Sequence, residues 1–193
     1  MEVDTIHTGL IFGSVREGRL CDAVANWTAA AIQRFGGFSL DSIDPKVLGL
    51  PAWGEGQDDG KLDVLRQRIA RADAFVIVTP EYNHAYPAAL KFLIDAVHGE
   101  WRVKPIAFVS YGGISGGLRA VEQLRLVFAE LHAVALRDTV SFADAWKKFD
   151  DSARLIEAGE ANKAMTVMLA RLQWWATVLR EARKAPPFEE AWR

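Results

Sequence analysis

Two hydrophobic rhythms alternate along the chain. Short, continuous apolar runs are followed by stretches in which apolar residues return every three or four positions. The first run, HTGLIFGS (7–14), reads as a strand ending at Gly13, and residues 19–35 read as a helix. FSLDSID (38–44) alternates as a second strand and leads into a loop over 45–60 rich in Pro, Gly and Trp. Leu62, Leu65 and Ile69 mark the next helix. DAFVIVT (73–79) is a third strand whose unbroken apolar character predicts burial on both faces, as in a parallel sheet.

Pro87 opens a further helix, at a position where its missing N–H costs nothing. Leu90, Leu93, Ile94 and Val97 fall on one side of it, and Ala88, Ala89, Phe92 and Ala96 on the other. A helix that is apolar nearly all round needs two covers, here the sheet and a second subunit. PIAFVSY (105–111) reads as the fourth strand, Val121, Leu124, Phe128 and Leu131 as the following helix, and AVALRDTVSF (133–142) as the fifth strand. One last helix, or two, is predicted over 151–185, with Met165, Met168, Leu172, Trp175 and Leu179 inward. Trp174, Trp175 and Trp192 read as core rather than as a partner surface, and residues 185–193 as a flap. Strands alternating with helices predict an α/β fold with an open, doubly wound sheet. The expected organisation is one domain over 1–193, with a helical extension from about residue 150.

Composition narrows the function classes. The chain has 193 residues, half of them hydrophobic, and a net charge of -2, so it lacks the basic footprint of a nucleic-acid binder. Its one cysteine, Cys21, allows no intramolecular disulfide and fits a reducing cytoplasm. The opening MEVDTIHTGLIFGS is acidic with a short apolar run, unlike a secretory signal. No run approaches the ~18 apolar residues of a membrane span. The expectation is a cytoplasmic protein without nucleic-acid or membrane partners.

In doubly wound sheets ligands bind beyond the carboxyl ends of the strands. The loops after strands one, three and four should therefore converge, and they are the most unusual stretches of the chain. GSVREGRLC (13–21) opens a helix, whose free N–H groups and partial positive charge suit an anion. Ser14 offers a hydroxyl, and Arg16 and Arg19 offer forked donors for a phosphate; the alternative is a plain turn with solvated arginines. Arg19 and Leu20 stand where a P-loop has Lys and a hydroxyl, and Val15 breaks the dinucleotide pattern. YGGISGG (111–117) has four glycines, which would let a flat ligand lie against bare backbone or would simply make a flexible connection. PEYNHAYP (80–87) holds Thr79 extended ahead of Pro80 and sets out a carboxylate, a carboxamide and an imidazole. Here Tyr82 could equally be a core aromatic, Glu81 a helix-end ion pair and His84 a surface histidine. A phosphate at one end and a flat heteroaromatic at the other describe flavin mononucleotide (FMN).

GSVREGRL, LGLPAW, TPEYNHAYPAALKFLID and SYGGISGGLRAVEQLR together resemble the NAD(P)H-dependent FMN reductase family, which also holds quinone, chromate and azo-dye reductases. The resemblance runs from about Ile6 to Phe142, with P-E-Y-N its specific part. It implies a flavodoxin-like three-layer sandwich with a five-stranded parallel sheet of order 2-1-3-4-5. It implies that Ser14 and Arg16 hold the FMN phosphate, with Arg19, Leu20 and Cys21 completing that loop and helix start. It places Pro80, Glu81, Tyr82 and Asn83 beside the isoalloxazine, and Ser110, Gly112 and Gly113 where the third loop meets it. Arg19 and Cys21 replace a Ser and an Asn frequent in relatives, and LKFLID replaces LKNAID. The family's activity is ping-pong hydride transfer from NADPH or NADH through FMN to a small acceptor, in a homodimer or homotetramer. Arg16, Arg102 and Arg119 are candidates for a 2′-phosphate, and His84 is a candidate proton donor to a quinone. Two other readings are a flavodoxin-type electron carrier, and an FMN-free interaction protein that kept the fold.

Overall fold

The computed structural model describes residues 5–49 and 60–185. Most of the 45–60 loop, including the end of LGLPAW, lies outside the described residues, as do the expected flap beyond Ala185 and Trp192.

The described elements run β1 (Ile6–Phe12), α1 (Cys21–Phe35), β2 (Phe38–Ile43), α2 (Pro45–Leu48), α3 (Lys61–Arg71), β3 (Ala74–Pro80), α4 (Ala88–Asp95), β4 (Pro105–Tyr111), α5 (Leu118–Glu130), β5 (Val134–Phe142) and α6 (Gly159–Ala182). The strands form one sheet in the order β2-β1-β3-β4-β5, and every pairing is parallel. This is the order expected of a flavodoxin-like sheet. β3 and β4 are buried at every position, which is why they read as unbroken apolar runs.

Alternate strand residues feed two cores. Leu10, Val76, Val78 and Val109 pack beneath α1 and α6. Ile11, Phe75, Ile77 and Phe108 pack beneath α3, α4 and α5. In the second core Trp101 is fully buried against Phe75 and Phe128, at ring-centroid distances of 4.8 and 5.5 Å. Its indole N–H reaches the carbonyls of Ile94 and Val97, both at 3.1 Å, at the end of α4. The Ile94 carbonyl lies in the last turn of α4 and Val97 just past its end, where acceptors lack intrahelical partners, so burying this ring leaves its N–H satisfied.

The C-terminal segment differs from expectation in two ways. Its one helix starts at Gly159 rather than near Asp151. The Asp150 carboxylate accepts the backbone N–H groups of Ser152 and Arg154, both at 2.9 Å, which favours a turn over a helix there. Trp174 is 60% exposed while Trp175 is half-buried, because neighbours on a helix face directions about 100° apart and cannot both point inward.

Candidate functional site

Three loops meet beyond the carboxyl ends of β1, β3 and β4. The first begins at Gly13, whose N–H donates to Val78 O at 2.7 Å. A Cβ at Gly13 would lie 2.6 Å from that same carbonyl, so only glycine lets β1 end this close to β3. Ser14 is fully buried, and its hydroxyl lies 2.8 Å from the Tyr82 hydroxyl. Arg16 is exposed and lays its guanidinium over the Tyr82 ring, 3.7 Å from the centroid. The first and second loops therefore touch through Ser14, Arg16 and Tyr82, as the sequence reading required. Among the described residues Arg16 pairs with no carboxylate. Leu20 occupies the cap position of α1 without a capping side chain, so the first N–H groups of that helix have none.

Arg19 and Cys21 are placed differently from a ligand-binding role. The Arg19 side chain is only 5% exposed. Its Nε donates to Asp22 at 2.9 Å and its Nη2 lies 2.7 Å from the same oxygen. Nη1 donates to Asp44 at 2.9 Å and also to the Ser14 carbonyl, and Nη2 also meets Asp44. Four hydrogen bonds and a close ion pair engage the guanidinium, so it is committed within the chain rather than to a phosphate. Arg19 is a clamp that ties the first loop to the end of β2. Burial pushes the Asp44 carboxyl upward, but Arg19 and the Lys46 N–H outweigh it and hold the acid below its ordinary value. Cys21 is fully buried, with its sulfur 4.0 Å from Val78 O and Tyr111 beside it. Burial raises its pKa, so it packs as a thiol, while Leu20 packs half-buried on the α1–α6 core.

The second loop leaves β3 through Pro80 and turns at once. Tyr82 and Ala85 exchange backbone hydrogen bonds of 2.9 and 3.1 Å, with Asn83 and His84 between them at φ 52° and 68°. Two successive residues at positive φ between reciprocal hydrogen bonds are the pattern of a two-residue I′ turn, for which asparagine is among the better non-glycine choices. Asn83 and His84 are exposed at its tip, and Gln123 donates to the His84 carbonyl at 2.6 Å. Glu81 makes the helix-end ion pair that was its alternative role. Its carboxylate accepts from Ser115 Oγ at 2.7 Å, the Arg119 N–H at 3.2 Å and Arg119 Nη1 at 2.8 Å. Burial raises the Glu81 pKa, yet these donors bring the net shift down. Glu81 thereby binds the second loop to the third.

Ser110 does not face outward. It is fully buried, and its hydroxyl donates to Gly116 O at 2.8 Å, joined there by Ser141 at 2.9 Å. Two glycines of this loop have different reasons to exist. Gly117 has φ 84°, and a Cβ there would stand 2.8 Å from Tyr111 N, so the fold requires it. Gly113 has no positive φ, and its Cβ would meet nothing closer than Trp146 at 3.7 Å, an ordinary contact. The fold does not require glycine at 113, which suits close approach by something outside the chain.

A fourth segment, absent from the sequence reading, completes the rim. After β5, Asp144 N–H donates to Gly113 O at 3.0 Å and Ala145 N–H to Gly112 O at 3.1 Å. These bonds hold the short 3-10 turn Ala145–Lys147 beside the third loop, with Trp146 61% exposed. The available signal was a lone tryptophan among polar residues in FADAWKKFD. Among the described residues no group of three or more His, Cys, Asp or Glu is arranged to hold a metal ion, and no helix is long and apolar enough to cross a membrane.

These residues fit FMN at both ends. Ser14, Arg16 and the uncapped start of α1 suit a phosphate, and the bare backbone at Gly112 and Gly113 suits a flat ring. Comparisons with known proteins agree in kind. A relative in Schizosaccharomyces pombe, described as an NAD(P)H-dependent FMN reductase, is 40% identical over 124 residues, 56% of this chain. That match spans 58% of the relative, little more than half its length. The Oryza sativa subsp. japonica protein "Probable NADPH:quinone oxidoreductase 1" is 32% identical over 181 residues, 86% of this chain and 89% of its own. The solved structure of FerB from Paracoccus denitrificans, a flavoenzyme NAD(P)H:(acceptor) oxidoreductase, superposes with a TM-score of 0.69 at 20% identity, covering 90% of this chain and 98% of that one. At that identity the likeness shows the fold alone. The model of one family, described as NADPH-dependent FMN reductase, matches residues 6–147, and the chain belongs to that family.

Proposed function

We propose that the protein is an FMN-dependent NAD(P)H oxidoreductase that passes electrons to a small acceptor such as free flavin or a quinone. The observation that carries this reading is the convergence of Ser14, Arg16 and Tyr82 with the Gly112–Gly113 backbone at the carboxyl end of a parallel sheet. When bound, FMN supplies two-electron hydride chemistry between a nicotinamide and the acceptor. The protein's part is to bind, orient and shield. Arg16, Ser14 and the first N–H groups of α1 hold the phosphate. Pro80 to Asn83 and the Gly112–Gly113 backbone border the ring, and Glu81 keeps those two loops in register. Arg19 acts indirectly, by fixing the Ser14 carbonyl. His84, at an exposed turn, can reach a bound acceptor as a proton donor.

The active assembly is proposed to be a homodimer or homotetramer. Leu90, Leu93 and Ile94 of α4 face the core, whereas Ala88 is exposed and Ala89 only half-buried, and a second subunit would cover them. Sedimentation of the purified protein reads the stoichiometry.

The test of function is an absorbance spectrum before and after anaerobic NADPH. A flavin spectrum that bleaches supports the reductase. A flavin spectrum that neither NADPH nor NADH bleaches supports an electron carrier. A colourless protein that takes up no added FMN overturns the reading.

A further inference from the structure

We propose that Trp146 is a specificity-determining residue, an aromatic wall on which a planar acceptor stacks beside the flavin; this rests on the FMN reductase reading above. Tryptophan is highly buried on average, yet here the indole is 61% exposed. Its position is nevertheless fixed, because the residues before it are bonded to the third loop through Asp144 N–H and Ala145 N–H. Its Cη2 lies 3.7 Å from where a Gly113 Cβ would stand, so the ring borders a glycine of the third loop that the fold does not itself need. Ile114 at 89% and Leu118 at 46% exposure belong to the same third loop and the helix start after it, which makes this rim apolar. The first and second loops contribute polar groups instead, Arg16 and the exposed Asn83–His84 turn. A ligand with an apolar aromatic face and polar edges matches that division, and a quinone has this character. The indole takes no part in electron transfer. NAD(P)H supplies the electron pair and one proton as hydride, the second proton comes from solvent by way of His84, and the quinone leaves as hydroquinone.

The experiment compares menadione, a flat two-ring quinone, with ferricyanide, which takes single electrons and needs no stacking. In Trp146→Ala the KM for menadione should rise about tenfold, the scale of a lost aromatic pair, with kcat changed less than about twofold. Trp146→Phe should restore most of that affinity. Trp146→Lys, which keeps an apolar stem on the loop but no aromatic face, should read the same loss as Ala. Ferricyanide kinetics should move less than the menadione KM in every variant. Trp174→Ala, an exposed tryptophan on α6, is the control and should move neither. An unchanged menadione KM, an equal rise for ferricyanide, or an FMN dissociation constant that rises in step would overturn the proposal. Wild-type protein that takes up no FMN would instead overturn the underlying function.

Discussion

At the residue scale, the site depends on side chains whose work is to hold other groups. Arg19 is the plainest case. Its guanidinium serves Asp22, Asp44 and the Ser14 carbonyl, so its removal strands a mostly buried carboxylate. Arg19→Ala should cost about 3 kcal/mol, at the lower end for a broken buried pair. In urea melts Asp44→Asn should cost less than the sum when combined with it, and strictly additive losses would disprove the clamp. Arg19→Lys should not rescue, since one ammonium cannot reproduce the fork. Glu81 ties two loops in the same manner. Glu81→Ala should destabilise by about 2 kcal/mol and weaken FMN binding by at least tenfold, measured by flavin fluorescence titration. The folded-state pKa of Glu81 lies below its ordinary 4.5, so its contribution is present above that value and is lost as pH falls through the folded pKa. Acid unfolding should therefore begin earlier in wild type than a curve scaled from Glu81→Ala would give.

At the scale of elements, two glycines of one loop should respond in opposite ways. Gly117→Ala meets Tyr111 N at 2.8 Å in a left-handed backbone and should cost about 2 kcal/mol or more. Gly113→Ala should leave the melting temperature nearly unchanged but weaken FMN, because its Cβ has room within the chain and none beneath a ring. Equal losses of stability in both variants would remove the distinction. The elements were largely legible in the sequence, since periodicity marks a strand or helix that buries a face. What escaped notice depends on pairings distant in sequence. Arg19 read as a phosphate ligand because the acid that does most to bury it is distant in sequence; Asp44 arrives from the end of β2 and joins Asp22, three residues on. Ser110 read as facing the ligand because it borders the third loop, but Gly116 folds back over it. Trp146 carried no periodicity at all, and its place is set by two backbone hydrogen bonds to glycine carbonyls.

At the scale of the whole molecule, the end of the sheet opposite the site carries a pH response. Lys104 is 4% exposed, and its Nζ donates to the carbonyls of Ile69 and Ala70 at 2.7 and 2.8 Å, near the end of α3. Burial, and then Arg183, push its pKa down to about 7, against the pull of Asp73 and Glu100. The unfolded chain, with an ordinary value of 10.5, binds that proton more tightly. Unfolding therefore takes up a proton between those two values, and stability should rise with pH across the lower part of that window. Urea melts at pH 7 and 9 read this slope, and Lys104→Met should flatten it.

The order of the layers also bears on how the protein is made. The fifth strand ends at Phe142, but the helix that covers Val76, Val109 and Val140 beside α1 is α6, which begins only at Gly159. During synthesis the sheet is therefore complete while much of one face is still wet. A nascent chain stalled before α6 would present that bare surface to chaperones and proteases, and the ligand-binding end would have no firm support until the last helix had left the ribosome.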